Sequence, residues 1–195
     1  MKFLLLFFEN SFQDSLLIQL FGGLSLTVFG FLIIWFLRPR VKISPHISKT
    51  TKKGETTYNI KVINKSYLFQ LLDIKFELTM LKPQTTSKGM NINLKKINLE
   101  SDHVWFLSRR KGWINNIFGK DTYATYAIII TVKEEYDFYE RWKEVSDEVY
   151  FDLKVISKNN FSGITSINHE KFSHPSCVKK GVFSHGNSVE IIDHE

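Results

Sequence analysis

Four side chains near the C-terminal end are of types that can bind a metal ion. His169, His174, Cys177 and His185 lie close together in the sequence, and imidazole with thiolate is a donor set that zinc prefers. Their spacing, H-x4-H-x2-C-x7-H, matches no zinc signature, and the alternation of a strand would direct several of these side chains apart. The sequence therefore predicts neither a metal site nor a cofactor.

The motif G-x-x-S-x-G, from Gly181 to Gly186, places Ser184 in a setting that resembles a hydrolase nucleophile. A nucleophile elbow has the shorter form G-x-S-x-G and lies at a strand-turn-helix junction, which is not predicted here. Neither type of glycine-rich phosphate loop occurs in the chain. We therefore expect no catalytic serine and no nucleotide site.

An acidic stretch interleaved with aromatic residues runs from Glu134 to Glu148. Glycoside hydrolysis needs two carboxyl groups that face each other across a cleft, and neighbouring carboxylates on a connector have no reason to do so. The pattern fits either a long hairpin or a short helix. Its function is predicted to be a solvated surface or a protein-binding tip, so no enzymatic activity is expected.

An apolar segment near the N-terminus is long enough to cross a membrane. The residues from Ser15 to Leu37 carry no charge and are bracketed by Asp14 and Arg38, and about 20 such residues span the hydrocarbon layer as a helix. The segment is longer than the apolar core of a cleavable signal peptide. We predict a transmembrane helix over 15–37, preceded by a flank at 1–14.

Charges around this helix predict its orientation. The residues before it include one lysine and two acidic residues, whereas six cations and no acidic residue follow it up to position 53. These cations are Arg38, Arg40, Lys42, Lys49, Lys52 and Lys53. The positive-inside rule places the C-terminal part in the cytoplasm. The basic segment 38–53 would then face anionic lipid headgroups.

Small and polar residues follow one face of the predicted helix. Gln19, Gly23, Thr27 and Gly30 recur at spacings of four, four and three, which aligns them on one stripe. Small residues allow close approach of a second helix, and a glutamine can form a hydrogen bond across that contact. The stripe predicts association with another membrane protein or with a second copy, although such spacing also arises by chance.

The remaining residues predict one β-rich domain, 54–195. The chain has 195 residues, of which 43% are hydrophobic, and residues 38–195 carry a formal charge of +7 because the first 37 carry −1. No nucleic-acid-binding motif accompanies this charge, so nucleic acid is not expected as a partner. Period-two patterns at Tyr58–Val62 and Ile74–Met80 indicate half-buried strands, in which Asn59 and Lys61 are the outward residues.

Later segments complete the predicted set of about seven strands. Ile92 to Leu99 suggests a strand with a bulge, Tyr123–Val132 is predicted to pair with Val149–Ile156, and Cys177–Phe183 with Ser188–Ile192. Turn residues separate them, and no amphipathic helix of three turns is evident. The fold class is therefore a mainly β protein, an antiparallel immunoglobulin-like β-sandwich with one N-terminal transmembrane helix.

The order of these features resembles the cytoplasmic immunoglobulin-like domain of inward-rectifier potassium channels. The resemblance is carried by Arg38-Pro39-Arg40 after the helix, by YNIKVINKS and LLDIKFELTML, and by INHEKFSHPSCVKKGVFSHG. It implies an immunoglobulin-like fold and basic residues that face lipid. A pore helix and a TVGYG-like filter are missing from the sequence, so ion conduction is not implied.

A loop that combines cations with large apolar residues is the remaining candidate interaction site. Its residues are Arg109, Arg110, Lys111, Trp113, Ile114, Ile117 and Phe118. The apolar members recur with helical spacing, as in a loop that contacts a membrane interface or a partner. The alternative is that they fold back onto the core, where most aromatic residues of a small domain are buried.

Together these features predict a non-enzymatic interaction module, an adaptor or accessory subunit anchored by a single helix. The alternative is a small membrane effector or toxin, in which the β-domain senses a ligand or partner and clustered helices perturb the membrane. A homo-oligomeric ladder after crosslinking favours the effector, whereas a single heteromeric band favours the adaptor.

Overall fold

In this computed structural model the backbone is described for residues 2–52, 54–66, 69–87, 89–109, 125–133, 137–144 and 149–193. Within these ranges, side chains are described except at 2–17, 52, 85–86, 139 and 143–144. The chain divides into two compact units, residues 1–38 and residues 39–195. Each unit is described by itself.

The first unit is a single α-helix, α1, which runs from Lys2 to Leu37. Within it, Ile18–Leu37 has a mean hydropathy of 2.2 and is long and apolar enough to cross a membrane. The helix ends two residues before Pro39, whose ring disfavours helical backbone in the residue before it. The predicted end at residue 37 is confirmed, but the helix begins at Lys2, so the flank 2–14 is helical.

The second unit is mainly β. Within the described residues its elements are β1 Val41–Ile43, β2 Ile47–Lys52, β3 Glu55–Asn64, β4 Leu71–Thr86, β5 Gly89–Ile97, β6 His103–Leu107, β7 Ala127–Val132, α2 Phe138–Glu144, β8 Tyr150–Asn159, β9 Thr165–Phe172, β10 Val178–Lys180, β11 Val182–Phe183 and β12 Ile191–Ile192. A 3-10 turn over Pro175–Cys177 precedes β10.

One sheet is built around β3 and is called the β3 sheet. Strand β7 pairs antiparallel with one edge of β3, from Tyr58–Val132 to Ile63–Ala127. Strands β1 and β2 pair antiparallel with the other edge, and β10 continues the sheet beside β2. The β10–β2 pair is parallel, so the sandwich is antiparallel except at this edge.

The other sheet is built around the long strand β4 and is called the β4 sheet. Strand β8 pairs antiparallel with β4 along one edge, and β9 follows β8. On the opposite edge, β6 pairs with the first part of β4 and β5 with the last part. The register of the β4–β8 pairing shifts between Leu72 and Lys75, where Asp73 has a positive φ of 48°. Because of this irregularity, Leu71 and Ile74 are both buried although they are three residues apart.

The core lies between the two sheets, as period two requires. Alternate residues of β3, β4 and β8 are buried in one hydrophobic cluster. The β3 sheet contributes Tyr58, Ile60 and Val62 to this cluster. The β4 sheet contributes Ile74, Phe76, Leu78, Phe151, Leu153 and Val155. The prediction of a mainly β fold with an N-terminal apolar helix is confirmed, and the two sheets form a sandwich.

The predicted pairing of the segment ending at Val132 with 149–156 is wrong. Strand β7 lies in the β3 sheet, whereas β8 lies in the β4 sheet between β4 and β9. Both strands are rich in apolar and β-branched residues. Such a composition indicates that a strand is buried but does not indicate which strand it pairs with.

The acidic-aromatic stretch contains the short helix α2. Phe138 and Trp142, one helical turn apart, are both buried and contact Phe151, each with ring centroids 4.7 Å apart. Tyr58 Oη donates to Asp137 Oδ1 at 2.9 Å, and Trp142 Nε1 donates to the Val149 carbonyl at 3.1 Å. These two aromatic residues are therefore core residues and not part of a solvated or partner-binding tip.

The basic segment 38–53 is largely part of the β-domain. Residues 41–43 and 47–52 form β1 and β2, and Ile43 and Ile47 are buried in the core. The compact unit accordingly begins at Pro39. The domain is longer than the predicted range 54–195.

Candidate functional site

The end of β4 and the start of β5 form a two-stranded arm, defined here as residues 81–94. Leu81 is the last β4 residue that pairs with β8, opposite Tyr150, whereas pairing with β5 continues to Thr86–Gly89. Pro83 lies in this part of β4, where the strand has only one neighbour, as expected for a residue without an N–H. Gly89 has a φ of 127° and closes the hairpin in a conformation that favours glycine.

The side of the arm that faces away from the core carries a row of apolar residues. Leu78 and Ile97 form a pair inside the core. Three residues further along each strand, Leu81 lies opposite Leu94 on the other face. The row continues with the pair Pro83–Ile92 and with Met90.

These side chains are accessible within the β-domain. Met90 is 71% exposed, Ile92 47% and Leu94 64%. A single exposed apolar residue needs no explanation, whereas contiguous exposed apolar residues on one face are typical of interaction sites. The row is therefore the candidate functional site.

Strand β5 is also an edge strand. Among the described strands it pairs only with β4, so its other edge presents main-chain donors and acceptors that can pair with an added strand. The Ile92 N–H donates to Asn91 Oδ1 of the preceding residue at 2.9 Å. A neighbouring strand can replace this local bond with a main-chain carbonyl.

Charge around the arm is of one sign. Residues 78–99 contain four lysines, at positions 82, 88, 95 and 96, and no acidic residue. Edge lysines are a common device against uncontrolled strand pairing. They also make the arm complementary to an acidic partner.

The apolar edge continues along β6, which follows β5 on the same side of β4. Trp105 is 77% exposed, and its ring lies 4.8 Å from that of His103. The His103 Nε2 atom is 2.9 Å from Asp73 Oδ1, which fixes the imidazole beside the indole. Both strands on this edge therefore present large apolar side chains to solvent.

The helix stripe is accessible in α1. Apart from the neighbouring residues and the nearby backbone of the helix itself, no atom lies within 4 Å of a Cβ placed on Gly23 or Gly30. Thr27 Oγ1 donates to the Gly23 carbonyl at 2.8 Å, so its hydroxyl already has a partner within the helix, and Gln19 is exposed. The predicted role of the stripe in association stays a prediction.

The other predicted site residues lie in different places. Arg38, Arg40 and Lys42 are exposed, and Lys49 is half-buried with its Nζ 5.5 Å from the ring centroid of Tyr58. Arg109 is half-buried. The described residues do not include Lys53 or positions 110–124, nor the side chain of Lys52. The predicted loop residues Arg110, Lys111, Trp113, Ile114, Ile117 and Phe118 therefore lie outside them.

The histidines and the cysteine have separate environments. His174 accepts a hydrogen bond from the Ser176 N–H at 3.1 Å and caps the 3-10 turn that ends at Cys177. His169 Nδ1 lies 3.6 Å from Asp152 Oδ1. Within the described residues, no three potential metal ligands are grouped.

Two features of the domain were missed by sequence reasoning. The segment from Ile92 to Leu99 was predicted to contain a strand, but the exposure of Ile92 and Leu94 was not predicted. The available signal was the surrounding segment 78–99, which has four lysines and no acidic residue. Lys61 was predicted as an outward residue of β3, yet it is only 3% exposed. No local pattern indicates that a distant segment covers it.

Comparisons with known proteins give a limited result. No protein-family model matches the chain, and no curated protein matches it. Among solved structures it is similar to Spo0M, a sporulation control protein from Bacillus subtilis, with a TM-score of 0.38 and 9% identity. The alignment covers 73% of this chain and 49% of that protein, so the chain spans about half of its length.

Proposed function

We propose that this protein is a single-pass, membrane-anchored interaction module without enzymatic activity, whose β-domain binds a partner protein through the arm. The supporting observation is the exposed row Met90, Ile92 and Leu94 on an edge strand. In this proposal α1 spans the membrane, the immunoglobulin-like domain is cytoplasmic, and Arg38, Arg40 and Lys42 lie near anionic headgroups.

The chemistry of the arm favours an extended, acidic and apolar segment of another protein. An added strand would satisfy the main-chain groups of the β5 edge and cover the apolar row, as in β-strand addition. Its acidic residues would pair with the lysines of segment 78–99.

Two other occupants fit this surface less well. A bilayer could accept the apolar row, but hydrocarbon cannot satisfy the main-chain donors and acceptors of an open edge. A second copy would bring two segments 78–99 together, each with four lysines, and like charges across strands are destabilising. The partner protein is therefore preferred for the arm.

The test is photocrosslinking in native membranes. A photoreactive amino acid replaces Ile92 in the full-length protein, and a matched variant carries it at Ile167, which is 56% exposed on β9 at the other end of the β4 sheet. We expect one heteromeric product from position 92 and none from position 167.

Each other result contradicts the proposal in a defined way. A homo-oligomeric ladder from position 92 supports the alternative effector whose helices cluster. Crosslinks to lipid alone indicate that the arm contacts the membrane. Equal products from both positions, or none, show that the row binds no specific partner.

A further inference from the structure

A cavity of about 300 Å³ lies on the outer face of the β3 sheet, beneath the C-terminal segment. Its floor includes Lys61 of β3 with Ala127 and Ile129 of β7, and the segment 182–186 lines its other side. The lining is mainly apolar, and the volume is at the lower end of the range for small-molecule sites.

Lys61 is the charged group of this cavity. Its side chain is 3% exposed, and Nζ donates to the carbonyls of Ser184 at 2.6 Å and Ser188 at 2.8 Å. No described acidic side chain lies within salt-bridge distance of this ammonium group. An ammonium group has three donors, so one remains after the two carbonyl bonds.

A second donor lies beside Lys61. The hydroxyl of Ser184 is buried without a hydrogen-bond partner, although the carbonyl of the same residue accepts from Lys61. Leaving a buried hydroxyl unpaired costs free energy that an acceptor in the cavity would recover. The loop around it is closed by a hydrogen bond from the Ser184 N–H to the Glu190 carbonyl at 2.9 Å.

Thr125, Tyr126 and His185 also line the cavity, but the donors of Lys61 and Ser184 and the apolar walls are the features from which the ligand is inferred. A carboxylate has two oxygens, one for the remaining Lys61 N–H and one for the Ser184 hydroxyl, and its charge matches the buried ammonium group. Val182, Phe183 and Ile129 provide an apolar environment for the rest of the molecule. A ligand without an apolar part would leave these walls uncovered.

A purely structural role explains only part of this arrangement. As a clamp, Lys61 holds the carbonyls of residues 184 and 188 against the sheet. That role accounts neither for the unpaired Ser184 hydroxyl nor for an apolar cavity beside a buried charge, which desolvation makes costly.

We propose that this cavity binds a small organic carboxylate with an apolar body, held by Lys61 Nζ and Ser184 Oγ. This inference is independent of the partner proposed for the arm, which lies in the other sheet.

The test uses the full-length protein in nanodiscs of zwitterionic lipid, with empty nanodiscs as the blank. Sodium benzoate, neutral benzamide and inorganic phosphate are titrated separately by isothermal calorimetry. We expect saturable binding of benzoate, with benzamide weaker by about tenfold or more because a charge-assisted hydrogen bond is lost. Phosphate has charge but no apolar body and is expected to bind at least about tenfold more weakly.

Variants locate the binding to this cavity. Ser184→Ala removes only the unpaired hydroxyl and is expected to weaken benzoate binding about tenfold, and Ala127→Leu fills the cavity and is expected to abolish binding. Lys61→Met is expected to abolish it as well. Lys179→Met, which removes the same charge from an exposed position on β10, is expected to leave it unchanged.

Several results would overturn the proposal. These are the absence of benzoate binding, equal affinity for benzamide or phosphate, and benzoate binding that survives both Ser184→Ala and Ala127→Leu. If Lys61→Met unfolds the domain, the other two variants decide the result, because neither removes a hydrogen bond seen in the structure.

Discussion

The outer faces of the two sheets differ in what covers them. On the β3 sheet, the C-terminal segment lies over β3 and β7 and buries Lys61, a residue that is normally exposed. On the β4 sheet, the arm leaves Met90, Ile92 and Leu94 exposed, although such residues are normally buried. Each face reverses the usual relation between residue type and burial, and each therefore carries one of the proposed binding sites.

The comparison also separates two kinds of site. The covered face has a cavity that is lined by a charge with fixed hydrogen bonds and is suited to a small molecule. The open face is an edge strand with an apolar row, suited to another chain.

The largest effect on stability is expected from displacing the β11–β12 hairpin, which belongs to the C-terminal segment over the β3 sheet. A Cβ on Gly181 would lie 2.3 Å from the Ile192 carbonyl oxygen, and its φ is 121°. Gly181→Ala should therefore destabilise the β-domain by about 3 kcal/mol through strain and the displacement of the β11–β12 hairpin. Denaturant unfolding and amide hydrogen exchange over residues 182–192 measure both effects.

Gly163→Ala is the matched control, since this glycine also has a positive φ, of 69°, but the nearest atom to a Cβ is Lys158 Cε at 3.6 Å. We expect it to cost about 1 kcal/mol. Equal costs for the two glycines would show that the hairpin does not depend on close approach at residue 181.

A smaller effect is expected from the buried charge itself. Lys61→Met removes two hydrogen bonds and leaves the carbonyls of Ser184 and Ser188 without this donor. We expect a net loss of about 2 kcal/mol in the free energy of unfolding, because relief of the charge desolvation only partly offsets the two lost hydrogen bonds. Lys179→Met should change stability by less than about 0.5 kcal/mol, and an equal loss in both variants would refute a specific role for Lys61.

The contribution of Lys61 should also depend on pH. Burial lowers the pKa of Lys61 in the folded protein, so between that pKa and the ordinary value the unfolded chain binds more protons. Stability contributed by Lys61 then rises with pH in this window. The stability difference between the wild type and Lys61→Met should be larger at pH 10 than at pH 7.

Tyr126 brings another ionisable side chain to the lining of this cavity. Both measurements are therefore repeated in a Tyr126→Phe background. In that background, a stability difference between the protein with Lys61 and its Lys61→Met variant that stays constant or shrinks from pH 7 to pH 10 would contradict the lowered pKa of Lys61.

The smallest effect on stability is expected on the open face. Ile92→Thr keeps a β-branched residue on an exposed strand and should change the free energy of unfolding by less than about 0.5 kcal/mol. Ile97→Thr, on the same strand but 3% exposed, should cost about 2 kcal/mol or more. Thermal unfolding of the full-length protein compares the two, and similar costs would show that the arm is packed rather than open.

The sequence predicted well those elements whose signals are local. A long uncharged segment implies a membrane-length helix wherever it lies, and alternation in β3 and β4 implies one buried face. The predicted pairing of Cys177–Phe183 with Ser188–Ile192 is confirmed only for β11 and β12. Val178–Lys180 pairs with β2 instead. The start of α1 was not predicted, since Asp14 marks where the uncharged segment begins but a charged residue does not end a helix.

By itself, the sequence determined that the protein has an apolar helix of membrane-spanning length and a mainly β domain. The tertiary structure decided which face is covered: that β7 pairs with β3, that Lys61 is buried beneath residues 184–188, and that the arm extends beyond β8. The physical reason is the range of the interactions. Periodicity reports contacts between near neighbours, whereas burial of an outer face depends on a segment more than a hundred residues away.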